Sequence, residues 1–448
     1  MKHKLIIKAI ILSSCVLVMQ QMVAQETKSL TLSEAIDLGL KNSKQLKSNQ
    51  AKIQQATAVL QEASDRRLPD VSASGSYLRV DNPDISLKTS SSSSGTGTGS
   101  SSGSAFPSVS QAMYGMVNAS YSIYAGGKLK YGIESAKYLL QASQFDSAHD
   151  RGDVIINIIG AYINLYKAKA AVNLVKDNLE QSRQRDTDFA NLERNGVVAR
   201  NDLLKAELET SNVELSLLDA QSNWKLANVN VNLLLGLPEG TEIVTDSASI
   251  VSPEALKSVD EYEQLAFQNR KDMQALLLRT KAAGVNIKSV KADYYPSIGL
   301  SAGYVALDVP HFISIVNAVD AGIGIKYNLS SLWKTKAKLQ EAKAEENELI
   351  ANQDLLTDNV RYQINQAYEA FLLSQKKIDV YVKAIEQANE NYKITKNKYD
   401  NTLATTTDLL DADVAQLQAK LNYAFAKADA IVAYNKVIQA AGLLTDKQ

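Results

Sequence analysis

The chain has 448 residues, and its 48 basic and 49 acidic side chains leave a formal net charge of −1. This balance, without a Lys/Arg tract or a basic face, argues against a nucleic-acid-binding protein. Beyond residue 25 the only histidines are His149 and His311, in unrelated segments, and there is no cysteine. The sequence therefore indicates neither an enzyme nor a protein with a metal or another cofactor.

The first 25 residues have the pattern of a secretory signal peptide. Basic residues precede an apolar stretch that extends to Met19, and a cleavage region follows near Gln25. Cys15 lies in a segment that resembles a lipoprotein processing site, but the apolar run continues past it. Cleavage near Gln25 is therefore favoured over lipidation at Cys15. No later stretch approaches the roughly 18 apolar residues that a membrane-spanning helix needs.

The pattern of the remaining sequence indicates a tandem duplication of one long unit. The offset between matching landmarks falls from 227 to 206 residues, because the first copy holds a Ser/Gly/Thr-rich insertion at residues 89–105. A duplication of this length predicts a repeat architecture rather than two enzyme domains. The landmarks in the first and second copies are Thr31 and Ser258, Glu34 and Glu261, Pro69 and Pro296, and Asp202 and Asp408.

Three segments follow the signal peptide, which covers residues 1–25. We predict a first repeat at 26–235, a linker at 236–257 and a second repeat at 258–448. Each repeat has the order helix, two strands, long helix, return helix. The first helix of each repeat begins with a capping box and continues for about 38 residues, or about 55 Å, to a proline. The predicted long helices cover 128–194 and 333–399, and the return helices begin near residues 201 and 407.

The strands have a strict period of two. In the first strand Val71, Ala73, Gly75 and Tyr77 alternate with serines, and the other three strands keep the same phase. One face is small and polar, which suits a wet lumen, and the other is apolar with tyrosine, which suits lipid. An ordinary amphipathic sheet over a protein core is the alternative. Four strands cannot close a barrel, for which about eight are needed, so membrane strands would have to be shared between chains.

The long helices carry a heptad seam. Val154, Ile158, Ala161 and Leu165 begin the first seam, and Val360, Ile364, Ala367 and Phe371 repeat it. Alternating steps of four and three predict coiled-coil packing. A structural or adhesive coiled-coil surface protein is therefore an alternative function, but such a protein does not require four phased strands.

With these features the chain resembles the TolC-like outer-membrane efflux family over essentially all of the sequence after the signal peptide. The family's hairpin tips have roughly Val-Gly, five variable residues and Asp-Val-Leu. Here the first tip has Gly196 before Asp202-Leu203-Leu204, and the second has Thr402 before Asp408-Leu409-Leu410. The resemblance implies a mainly α fold with a transmembrane β part. Duplicated antiparallel hairpins would form a periplasmic coiled-coil tube, and three chains would share a twelve-stranded barrel.

The resemblance also implies function and partners. The homotrimer would be a passive export duct in the outer membrane, docking on a periplasmic adaptor (a membrane fusion protein) and an inner-membrane pump. The sequence indicates neither the exported substrate nor the energy source of the pump. The residues implied to face the adaptor are Gly196, Val197, Val198 and Ala199 in the first tip, and Thr402, Leu403 and Ala404 in the second.

Asp408 and Asp411 match the aspartates that narrow the periplasmic aperture in the family. They are one helical turn apart, so three chains would form two stacked acidic rings. Acids in a first helical turn are also favoured by the helix dipole alone, and Asp202 occupies the matching place in the other copy. Two departures from the family pattern stand out: Thr402 replaces a glycine, and an arginine that ties protomers together has the uncharged Ala404 or Thr405 in its place.

Overall fold

The computed structural model describes residues 27–79, 81, 110–246, 256–310 and 313–444. The predicted signal peptide with Cys15 and the insertion at 89–105 lie outside these residues. The chain divides into two compact units. The first, the hairpin unit, contains Met1–Ala51, Gln144–Gln274 and Gln353–Gln448; the second, the sheet unit, contains Lys52–Ser143 and Ala275–Asn352.

The predicted order of helix, strand pair, long helix and return helix occurs twice. The first long helix has the predicted bounds, and a short strand lies in the predicted linker. In chain order the elements are β1 (Thr27–Leu30), α1 (Leu32–Asn42), α2 (Lys44–Asp65), β2 (Asp70–Arg79), β3 (Gln111–Ala125), α3 (Lys128–Arg194), α4 (Arg200–Leu235), β4 (Glu242–Thr245), α5 (Val259–Asn269), α6 (Lys271–Lys291), β5 (Ser297–Val309), β6 (Ile313–Lys326), α7 (Ser331–Asp400) and α8 (Thr406–Ala440).

The prediction of one continuous helix before the strands of each repeat is wrong. The helix is broken at Ser43, with ψ of 119°, and at Arg270, with ψ of 123°. The Ser43 hydroxyl accepts a hydrogen bond from the Leu46 N–H at 3.2 Å, so it caps a new helix start. The buried Arg270 guanidinium donates to Gln363 Oε1 at 2.8 Å and to the Ala440 carbonyl at 3.2 Å, so tertiary contacts hold the second break.

The hairpin unit has two matching apolar cores. One surrounds Ile158 and Val231, and the other surrounds Ile364 and Val437, which are the same positions in the second copy. The first core also holds the linker. The Tyr162 hydroxyl donates to the Leu30 carbonyl at 2.7 Å and accepts from the Asp246 N–H at 2.9 Å. Strand β4 consequently pairs in parallel with β1.

The sheet unit contains one antiparallel sheet with the order β2-β3-β5-β6. Val71, Ala119, Ala302 and Ala321 form one cross-strand row, so the predicted phase is shared by all four strands. On the same apolar face Val319, Ile323 and Ile325 are exposed. An ordinary sheet over a protein core would bury this face, and among the described residues nothing covers it. No helix in the described ranges is long and apolar enough to cross a membrane.

Candidate functional site

The first hairpin tip, residues 195–199 between α3 and α4, is a glycine-dependent turn. Gly196 has φ of 71°, and its N–H donates to the Glu193 carbonyl at 2.9 Å. The Val197 N–H donates to the Leu192 carbonyl at 2.9 Å, which completes a Schellman-type helix end. Gly196, Val197 and Ala199 are exposed and Val198 is half-buried. Ala199 occupies the N-cap of α4 and offers no side-chain cap.

The second tip, residues 401–405 between α7 and α8, adopts the same turn without glycine. Thr402 has φ of 63°, and its N–H donates to the Tyr399 carbonyl at 2.9 Å. The Leu403 N–H donates to the Lys398 carbonyl at 2.7 Å. A β-branched residue in the left-handed region is strained by about 1–2 kcal/mol. Leu403 is 75% exposed, compared with 65% for Val197 in the first tip, and Ala404 is half-buried.

Asp408 caps the helix that follows this turn. The Thr405 hydroxyl and backbone N–H donate to Asp408 Oδ2 at 2.7 and 2.9 Å, and the Asp408 N–H returns a bond to the Thr405 hydroxyl at 3.2 Å. Hydrogen bonds from the Thr405 side chain and then its backbone hold the pKa of Asp408 below 3.8. Asp411 is exposed one turn further along α8. Of the two predicted aperture acids, Asp408 is therefore engaged in capping.

A lysine connects the two hairpins at the tips. Lys205 Nζ lies 3.7 Å from Asp202 Oδ1 in its own helix and donates to the Thr407 hydroxyl at 3.4 Å. Each contact is exposed, so its contribution to stability is at most about 1 kcal/mol. A second connection between the hairpins lies below the surface.

That connection is a buried polar layer, which we define as Asn178, Ser182, Arg185 and Asp413. Arg185 Nη2 lies 2.8 Å from Asp413 Oδ2, and the two side chains are only 9% and 2% exposed. The same guanidinium nitrogen donates to the Ser182 hydroxyl at 2.9 Å, and Asn178 Nδ2 lies 3.3 Å from Asp413 Oδ1. The layer therefore joins α3 of the first hairpin to α8 of the second through one ion pair.

Apolar clusters lie on both sides of the polar layer. The tip cluster consists of Phe189, Leu203, Ala206 and Leu409, with the Phe189 and Tyr399 rings stacked at 5.4 Å. The lower cluster consists of Val175, Leu179 and Val213, with Leu417 and Leu421 packed against it. Both clusters contain residues of both hairpins, so the polar layer interrupts an otherwise apolar interface.

Sequence reasoning missed Arg185 and Asp413. A signal for Asp413 was present: Leu409, Asp413, Leu417 and Leu421 follow each other at intervals of four residues, so an acid occupies an apolar helical stripe. Nothing in the sequence pairs it with Arg185, which lies 228 positions away. Within the ranges that the structure describes, no group of three or more His, Cys, Asp or Glu side chains could hold a metal ion.

The sequence profile of the outer membrane efflux protein family matches residues 35–237 and 263–443, so both repeats are included. The outer membrane efflux protein BepC of Brucella suis biovar 1 (strain 1330) is 21% identical over 343 residues, which are 74% of this chain and 72% of BepC. The cation efflux system protein CusC of Escherichia coli (strain K12) is 23% identical over 330 residues, which are 69% of each chain.

Solved structures of outer-membrane channels share the fold. CusC superposes with a TM-score of 0.76 at 18% identity, covering 92% of both chains. The channel OprN superposes with a TM-score of 0.73 at 19% identity, covering 92% of this chain and 89% of OprN. The CmeC channel of Campylobacter jejuni superposes with a TM-score of 0.73 at 20% identity, covering 93% of this chain and 87% of CmeC.

Proposed function

Because this chain belongs to the outer membrane efflux protein family, we propose that three copies of it form a passive export duct whose hairpin tips meet a periplasmic adaptor. Its place is the outer membrane, with a long periplasmic part. Energy and substrate selection come from an inner-membrane pump that the adaptor connects to the duct. The cation efflux system protein CusC is named for a cation cargo, and that cargo is a property of CusC which does not define the cargo here.

The observation that carries the proposal is the incomplete sheet. Its apolar face is exposed, and β2 and β6 each have one strand neighbour among the described residues. Lipid offers no hydrogen-bonding groups to an open strand edge, so the edges must pair with other chains. Three copies of a four-stranded sheet give a twelve-stranded barrel, which is wide enough for a channel.

The proposal is tested by assembly and conductance. The chain purified in detergent should have the mass of a trimer by light scattering, corrected for bound detergent. In a planar bilayer it should produce uniform single-channel steps. A detergent-stable monomer that keeps its full strand content by circular dichroism would contradict the shared barrel. A trimer that never conducts would contradict the duct.

Adaptor docking is proposed for the exposed apolar side chains of the two tips. Val197 and Leu403 are exposed although neither has a role in either turn beyond its backbone. L403E and V197E should abolish export in cells that contain the partner adaptor while leaving the amount of trimer unchanged. V59E, which places the same charge on the exposed Val59 of α2, is the matched control. Normal export by both tip variants would place the docking surface elsewhere.

We further propose that the aperture is formed by the second hairpin and that Asp411 supplies its charge. Asp411 is exposed, whereas the Asp408 carboxylate is occupied by Thr405. D411N should reduce cation selectivity and block by multivalent cations without changing thermal stability. D408N should weaken the helix start as well. If D411N leaves conductance, selectivity and block unchanged, the acid has no role at the aperture.

A further inference from the structure

A cavity of about 420 Å³ lies in the sheet unit where the strands end and α7 begins. Four lysines line it, and only one carboxylate does, so its walls carry an excess of three positive charges. All four lysines are exposed, so water screens part of their repulsion, and a bound anion would be attracted by the remaining positive potential. The charged and key polar lining residues are Lys128, Lys326, Lys334, Lys338, Asp293 and Ser331.

The single carboxylate serves two of the four lysines. Asp293 Oδ1 lies 2.7 Å from Lys128 Nζ, and Asp293 Oδ2 lies 3.8 Å from Lys338 Nζ. Lys326 and Lys334 have no carboxylate within ion-pair distance in the part of the chain that the structure describes. Lys334 and Lys338 are also one turn apart on α7, where like charges repel. Two ammonium groups are thus available to a ligand.

The start of α7 adds to this positive potential. Ser331 is the first residue of a helix of 70 residues, and the positive end of a helix dipole favours anions. Ser331 is 7% exposed and lines the cavity, and its hydroxyl has no hydrogen-bond partner among the described residues. A buried hydroxyl without a partner is uncommon and indicates an unfilled polar contact.

The register of the sheet places the cavity on the polar face. Ala125, Ser297 and Lys326 form one cross-strand row. Side chains alternate along β6, so Lys326 lies on the same face as Gly324 and Gly322 and opposite Ile325. Lys326 therefore shares a face with the small polar residues and does not lie on the apolar face that suits lipid.

We propose that this cavity binds an oxyanion, a phosphate, sulfate or carboxylate group, on the inner side of the duct where the barrel meets the helices. The site rests on the proposed duct, because the polar face is the lumen only if the strands close a barrel. The bound group belongs to an anionic solute in the duct, and three chains present three such sites.

Single-channel recording with inorganic pyrophosphate as the probe tests the site. In a bilayer of neutral phosphatidylcholine, pyrophosphate should reduce the current of the wild-type trimer. The double variant K326Q/K334Q should need at least about tenfold more pyrophosphate for the same block, because charges a few ångströms from the ligand are removed. K336Q is the control, since Lys336 is exposed on the same helix but does not line the cavity.

A variant that is expected to strengthen the pyrophosphate block distinguishes a loss of binding from misfolding. D293N removes the only lining carboxylate, so it should strengthen the block several-fold. Equal block of wild type, K326Q/K334Q and D293N overturns the site while leaving the duct intact, since the channel still conducts. Absence of conductance in the wild type is a failure of the proposed duct itself.

The same charge can also attract a lipid headgroup, and native mass spectrometry separates the two sources. Retention of phosphatidylglycerol by the wild-type trimer, lost in K326Q/K334Q, without any pyrophosphate block overturns the solute site in favour of a lipid headgroup. Pyrophosphate block without lipid retention supports the solute site.

Discussion

The buried ion pair between Arg185 and Asp413 should control how firmly the two hairpins of one chain are joined. Replacing either partner alone leaves a charge in an interface where the side chains are 9% and 2% exposed. Removing one member of a buried pair typically costs about 3–5 kcal/mol. R185L and D413L should each destabilise the tip region by about this amount.

The double variant R185L/D413L should recover most of the loss. It leaves no uncompensated charge and extends the apolar clusters on both sides, and such replacements are typically neutral or stabilising by about 1–4 kcal/mol. Asn178 and Ser182 would lose partners, which limits the gain to the lower end of that range.

Hydrogen exchange followed by mass spectrometry is the appropriate assay, because it reports local opening of α3 and α8 rather than melting of the whole trimer. R183L is the matched control: Arg183 lies on the same helix, and its ion pair with Glu214 at 2.9 Å has partners that are 60% and 54% exposed. R183L should lower the free energy of local opening by less than about 1 kcal/mol. If exchange near residues 178–189 responds equally to R185L and R183L, the buried pair does not hold the hairpins.

Three further predictions concern the tips and the insertion. T402G should raise the melting temperature, because it relieves the left-handed strain at φ of 63°, whereas G196T should lower it. Because the pKa of Asp408 is lowered in the folded chain, its capping contribution to stability is present above pH 3.8 and should be lost as the pH falls through the folded pKa. Protection from hydrogen exchange at the start of α8 should therefore decrease over this pH range in the wild type, and D408A should not show this decrease. Deleting residues 89–105 should leave the trimer and its conductance intact, and loss of the trimer after deletion would show that the insertion is structural.

The predicted fold class and family are confirmed. Both could be predicted because they depend on local signals that are visible in the sequence. Caps, seams and alternation gave the bounds of α3 and the common phase of the four strands. The break at Arg270 was not predicted because it depends on contacts with Gln363 and Ala440 in distant segments. The Arg185–Asp413 pair was missed for the same reason. The break at Ser43 was also missed, although its cap on the Leu46 N–H is local. The repeat boundaries and the roles of the tip residues and of Asp408 and Asp411 remain predictions.

The two copies of the duplication differ at the positions of the buried ion pair. The copies agree in the apolar cores, where Ile158 matches Ile364. At the 206-residue offset, however, Arg185 corresponds to Asn391 and Asp413 corresponds to Glu207, both of which are exposed. Among the described residues the ion pair therefore has no counterpart at the duplicated positions, and its two members come from different copies.

The tips diverge in the same way. The first turn is relaxed at Gly196 but its helix start is uncapped at Ala199, whereas the second is strained at Thr402 but capped by Thr405 and Asp408. A buried ion pair adds little net stability but specifies one alignment of the two helices, and it is lost as a unit when they separate. The polar layer between the two apolar clusters therefore distinguishes the observed alignment of α3 and α8 from a shifted one, in which the buried charges would lose their partners.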